Sequence, residues 1–155
     1  MKNETYIATA INTDKFKPGE WKTINPYLIA HFPSNPTVKG TDKIVEMLQK
    51  IETANFTVNT DKVSHKSQIE RMQNCDIYVE LFAPFQHGRP YGCFGVTAFE
   101  AAALGKIVFT NNIGQKVYSD AYGDCALVIA NNEVEFISKM KWILQLDEKH
   151  IVNLQ

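Results

Sequence analysis

The chain has 155 residues, 45% hydrophobic and 21% charged, a size that can bury one sizeable core and predicts a single compact unit. Its 16 basic and 17 acidic side chains leave a formal net charge of -1, without the electrostatic footprint expected of a nucleic-acid binder or of a protein drawn to an anionic membrane. A small neutral-to-anionic ligand or a protein is the partner class this balance predicts.

Cys75, Cys93 and Cys125 lie far apart, with no C-x-x-C pair and no Cys/His cluster at metal-ligand spacing. Reduced thiols in a cytoplasmic protein are the expectation. The opening MKNETYIATAINTD lacks the apolar core of a signal peptide, and no apolar run approaches the ~18 residues that span a bilayer.

In chain order, residues 1–25 are polar, carry Pro18 and Gly19, and show no sustained period, so they read as a linker or arm outside the folded sheet. The structured unit is expected over 26–155. PYLIAHF (26–32) is β-prone, and after the turn-like PSNPT, KGTDKIVEMLQKI repeats Ile44, Met47, Leu48 and Ile51 at helical spacing. FTVNTDKV (56–63) alternates as a strand does, and Ser64 is placed to cap a helix carrying Ile69 and Met72.

DIYVELFAP (76–84) predicts a strand running into a loop that contains HGRPYG. GVTAFEAAALG then predicts a helix that Gly105 can end in the left-handed conformation. KIVFTNN (106–112) reads as a fully buried strand, 113–125 as a loop, and CALVIAN (125–131) as the fifth strand. Asn132 leads into a helix with Val134, Ile137, Met140, Lys141 and Leu144 on one face. Five strands interleaved with helices predict an α/β fold: a single Rossmann-like, doubly wound parallel sheet.

Ligands of such sheets collect beyond the carboxyl ends of the strands, where helix N-termini offer backbone N–H groups. Two strand-to-helix junctions stand out, HFPSNPTVKGT and PYGCFGVTAFE. In the second, Gly92 and Gly95 allow close backbone approach. Val96, Thr97 and Ala98 open the helix with unsatisfied amides, and Glu100, about one turn in, leans back toward its mouth. In the first, Lys39 is read as starting its helix, where a cation opposes the dipole unless an anion lies between.

Two readings stand for Glu80, which ends the strand DIYVE beside the site or pairs with a neighbouring cation. His31 is either a ligand contact or a hydrogen-bonded structural histidine, and His65 reads as a helix-start residue. Cys93, next to the site, has no evident base to make it a nucleophile.

The residues of these junctions carry a resemblance. FGVTAFEAAALGKIVFTNNIG resembles the donor-site segment of family 4 GT-B glycosyltransferases, E-G-F-G-(L/V)-x-x-x-E-A-(M/A)-A-x-G-K-P-V, and HFPSNPTVKGTDKIVEML resembles the H-A-P-S-N-x-x-x-K-G-T-x-x-I-x-E segment of one subgroup. INTDKFKP is similar to the connector that leads into the C-terminal domain of those enzymes. The likeness covers roughly residues 8 to 146 with the motifs in order.

It implies the fold of the C-terminal, donor-binding half of a GT-B enzyme and a nucleotide-sugar as substrate. The transfer it implies is retaining, needs no metal, and uses no cofactor beyond the donor. By resemblance, Glu100 binds the ribose hydroxyls, Ser34, Gly95, Val96 and Thr97 border the donor diphosphate, and Lys39 neutralises that diphosphate as it leaves. Lys39 and Glu100 are thereby the residues assigned to the chemistry.

The departures are as specific as the matches. The first glutamate of the family's E-x7-E motif falls on Gly92, and residues 31 to 38 hold no arginine to accompany Lys39. Arg89 or the amides around Ser34 and Asn35 are the candidates to stand in. Acceptor binding belongs to the other GT-B domain, so a separate acceptor-binding domain or subunit is the expected partner. The alternative is a non-catalytic Rossmann-like binding or structural module derived from such an enzyme.

Overall fold

The computed structural model describes residues 10–19, 26–146 and 150. The expectations for 1–9, 20–25, 147–149 and 151–155 lie outside the described residues.

The core is a five-stranded sheet of β1 (Leu28–His31), β2 (Asn55–Val58), β3 (Ile77–Val79), β6 (Ile107–Thr110) and β7 (Val128–Ile129). All pairings are parallel and the order is β2-β1-β3-β6-β7, with Ile29 opposite Ile77 and Tyr78 opposite Val108. The apolar runs in β3 and β6 are buried along their whole length, because helices cover both faces.

Alternation along each strand sorts the core in two. Ile29, Ile77, Val79, Ile107 and Phe109 face α2 (Thr41–Gln49) through Ile44, Met47 and Leu48, and α6 (Glu133–Leu144) through Phe136, Met140 and Ile143. Ala30, Tyr78, Val108 and Ile129 face α3 (His65–Gln73) and α4 (Val96–Ala103) through Met72, Ala98 and Ala101. Alanine at both α4 contact positions lets that helix lie close to the sheet. No helix among the described residues is long and apolar enough to cross a membrane.

Several local expectations hold. The Ser64 side chain accepts from Ser67 N and starts α3, Asn132 accepts from Glu135 N and starts α6, and Gly105 has φ of 75° just past the end of α4. Others need correction. The buried stripe of α6 is Phe136, Met140 and Ile143, while Val134 is 78% exposed, because the capped start places it in the first turn, off the sheet.

Residues 113–125 are not all loop, since α5 (Gln115–Tyr122) lies within them. It buries no residue, so it has no apolar stripe of the usual kind. It carries the Lys116–Asp120 pair one turn apart and the Tyr118–Tyr122 ring contact, and it docks on the core through Tyr118, whose ring meets Phe94 and Phe99. The loop after β3 contains a hairpin, β4 (Phe85–Gln86) and β5 (Arg89–Pro90), turned through His87 and Gly88, both at positive φ.

The described part of the N-terminal segment is not a strand, yet it is packed. Phe16 is buried in the cluster of Met72, Ala101 and Leu104, and Pro18 lies against Gly105.

Candidate functional site

The chain leaves β1 to one side of the sheet, toward β2, and later reaches β3 on the other, so the ends of β1 and β3 open a crevice between diverging connections. A cavity of about 490 Å³ occupies it. The loop after β1 contributes Phe32, Pro33 and Ser34, and the loop after β2 contributes Asp61, Lys62 and Val63. Lys39 and Glu80 form its floor beside Tyr78, and His65, Thr97 and Glu100 complete the wall. Ser34, Lys39, Thr97 and Glu100, far apart in sequence, therefore meet in one cavity. Gly95 borders it through Glu80 and Lys39, while the Val96 side chain is exposed.

α4 starts beside this cavity, its cap residue Gly95 bringing no side-chain acceptor, which leaves the first amides for another partner. A Cβ on Gly95 would lie 2.5 Å from Glu80 Oε1, so only glycine admits the buried carboxylate so close to the helix start. Glu100, on the next turn, has a side chain only 9% exposed. His65 Nε2 donates to its Oε1 at 2.8 Å, joining the first turn of α3 to α4.

Lys39 does not start a helix. It ends α1 (Pro36–Lys39), a single turn capped at its front by Asn35, whose side chain accepts from Val38 N, and at its back by Gly40 at φ 70°. A cation at that end accords with the helix dipole, so the position of Lys39 needs no anion to explain it.

Its Nζ donates instead to Glu80 Oε1, and Thr110 Oγ1 donates to Glu80 Oε2 at 3.2 Å. Glu80, 1% exposed in its side chain, is held by the cation that a buried carboxylate requires. Both readings of Glu80 are found: it follows β3 directly and lines the cavity, and it pairs with the Lys39 cation there. Arg89 lies exposed in the hairpin and does not line the cavity.

His31, buried behind Lys39, is structural. Its Nδ1 meets Val79 O at 2.7 Å, and a carbonyl only accepts, so Nδ1 carries the proton and Nε2 accepts from Thr41 Oγ1 at 2.9 Å. Burial lowers its pKa to about 4, helped by the nearby Lys39 charge and opposed by the bond to Val79. Burial likewise pushes the Tyr78 phenol upward and the Cys75 thiol up to about 12, leaving that thiol inert.

Gly92 has φ of 139°, and a Cβ there would lie 2.1 Å from Asn111 Nδ2. The first carboxylate of the E-x7-E pattern thus has neither a side chain nor room for one in this conformation.

Sequence reasoning missed the His65–Glu100 contact and the loop 61–63. Among the described residues no three His, Cys, Asp or Glu side chains gather to hold a metal ion. No protein-family model matches the chain, and no curated protein matches it either.

Proposed function

We propose that this chain is the donor-binding half of a retaining, metal-independent GT-B glycosyltransferase, a doubly wound Rossmann-like domain that takes a nucleotide-sugar, with the acceptor held by another domain or subunit. The observation that carries the reading is Glu100: a nearly buried carboxylate on a cavity wall, beside an uncapped helix start, with Ser34, Lys39 and Thr97 around the same space.

In this reading the amides of Gly95, Val96 and Thr97 meet the diphosphate, helped by the dipole of α4. Glu100 accepts from the ribose hydroxyls, and Lys39 meets the charge that grows on the leaving diphosphate. Because Lys39 already touches Glu80, the incoming anion shares that cation with the buried carboxylate.

The test is thermal unfolding with ADP, GDP, UDP and their sugar conjugates. A ligand at a hundredfold its Kd stabilises by about 2.7 kcal/mol, which moves the midpoint of a protein this size by several degrees. At least one nucleotide is expected to do so, and Glu100→Ala to remove most of the shift. A flat response to every nucleotide overturns the reading.

A second reading, a non-catalytic module descended from such an enzyme, is favoured by the crowding at Gly92 and by the Lys39–Glu80 pair. It predicts no release of sugar from any nucleotide-sugar, even with an acceptor domain supplied.

A further inference from the structure

The His65 ring is 67% exposed, yet its Nε2 sits 2.8 Å from Glu100 Oε1, and it is held from a second side by Phe16, whose ring meets it edge-on with centroids 6.4 Å apart. Phe16 is itself buried against Met72 and Leu104, so the described N-terminal segment reaches the cavity wall through one aromatic contact. α3 owes its start to the Ser64 cap, which leaves the His65 imidazole free for this bond. Among the described residues no hydrogen bond reaches the other oxygen of Glu100, Oε2, although the carboxylate is nine-tenths buried and borders the cavity. A buried acceptor without a donor invites one.

Resting on the donor-site reading above, we propose that His65 is the positioning residue for the Glu100 carboxylate. By holding Oε1, and with its ring braced by Phe16, it orients Oε2 to accept from a ligand carrying vicinal hydroxyls. The site therefore distinguishes a ribonucleotide from its 2′-deoxy counterpart.

The test measures Kd by calorimetry for ADP, GDP and UDP against dADP, dGDP and dUDP, with the full chain. The wild type is expected to prefer the ribonucleotide by about tenfold, the worth of one hydrogen bond to a charged group. His65→Leu should bring that ratio close to one, and His65→Gln, whose amide can still donate to Oε1, should restore part of it. Phe16→Ala should lower it without touching the cavity directly.

A merely structural His65 would lower the melting temperature and leave the ratio alone. A wild-type ratio in folded His65→Leu overturns this inference while the donor-site reading stands, as does a wild type that binds both forms equally. Should His65→Leu not fold, the ratio in His65→Ala decides in the same way. Failure of the wild type to bind any of the six nucleotides overturns both.

Discussion

Gly92 and Asn111 are in contact so close that a single methyl group cannot stand between them. A Cβ on Gly92 would fall 2.1 Å from Asn111 Nδ2 and 2.9 Å from its carbonyl oxygen. Asn111 cannot easily yield, because its Oδ1 accepts from Ala83 N and its Nδ2 donates to Tyr91 O, both at 2.8 Å. It ties the end of β6 to both ends of the hairpin insertion.

Placing a carboxylate at position 92, where the E-x7-E pattern has its first glutamate, is therefore expected to fail. Gly92→Ala is expected to destabilise by at least about 2 kcal/mol, combining the clash with the cost of positive φ, and Gly92→Glu by more. Urea unfolding checks both. Gly92→Glu is not expected to gain affinity for a nucleotide-sugar, and a stable Gly92→Glu with tighter binding would contradict this account.

The Lys39–Glu80 pair predicts an asymmetry. Lys39→Met leaves Glu80 buried without its cation and should cost roughly 3 kcal/mol, as removal of one member of a buried pair does. Lys39→Met combined with Glu80→Gln should recover most of that loss, because no uncompensated charge remains. A double variant as unstable as Lys39→Met would show that packing of the lysine stem dominates.

His31 makes stability depend on pH. Its folded pKa of about 4 lies below its ordinary value of 6.5, so between those values the unfolded chain binds more protons than the native one. Stability is full above 6.5 and falls as pH drops through that window, by on the order of 3 kcal/mol in total. Denaturation midpoints at about pH 7 and about pH 5 measure the effect. His31→Gln, which can donate to Val79 O and accept from Thr41, should flatten it; an unchanged slope would assign the loss to carboxylates.

Gly40 predicts a coupled loss of fold and site. At φ 70°, with a Cβ that would lie 1.9 Å from Phe82 O, it separates α1 from α2 and lets Lys39 O accept from Phe82 N. Gly40→Ala should cost about 2–3 kcal/mol and displace Lys39 from Glu80. Chemical denaturation together with nucleotide-induced thermal shift reads both effects.

The readable parts of this protein were the local ones. β-strand runs, the caps Ser64 and Asn132, and Gly105 after α4 are set by neighbours within a turn, so the alternation of strands and helices could be followed in the chain. The two junctions that hold Ser34, Lys39, Thr97 and Glu100 are legible because parallel sheets bring them to one edge, whereas the choice of Ser34 and the roles of all four rest on the resemblance.

What could not be read were distances between elements. Periodicity says which face of a helix is apolar, not that α3 meets α4 where His65 reaches Glu100, nor that β3 delivers Glu80 to Lys39. α5 is not legible because it buries no residue fully and docks through one partly buried ring, Tyr118 on Phe94 and Phe99, rather than through an apolar stripe. The run from Lys39 onward reads as one helix in the sequence, but Gly40 divides it, so that Lys39 ends α1 and Thr41 begins α2.

The burial of Phe16 bears on where this protein can be cut. A piece beginning at residue 26 keeps every described strand of the sheet, yet it removes Phe16 from the cluster of Met72 and Leu104 and takes away the ring that meets His65 edge-on. Such a fragment would retain the topology while its wall at Glu100 loosened, and weak nucleotide binding by it would reflect the missing ring rather than the cavity.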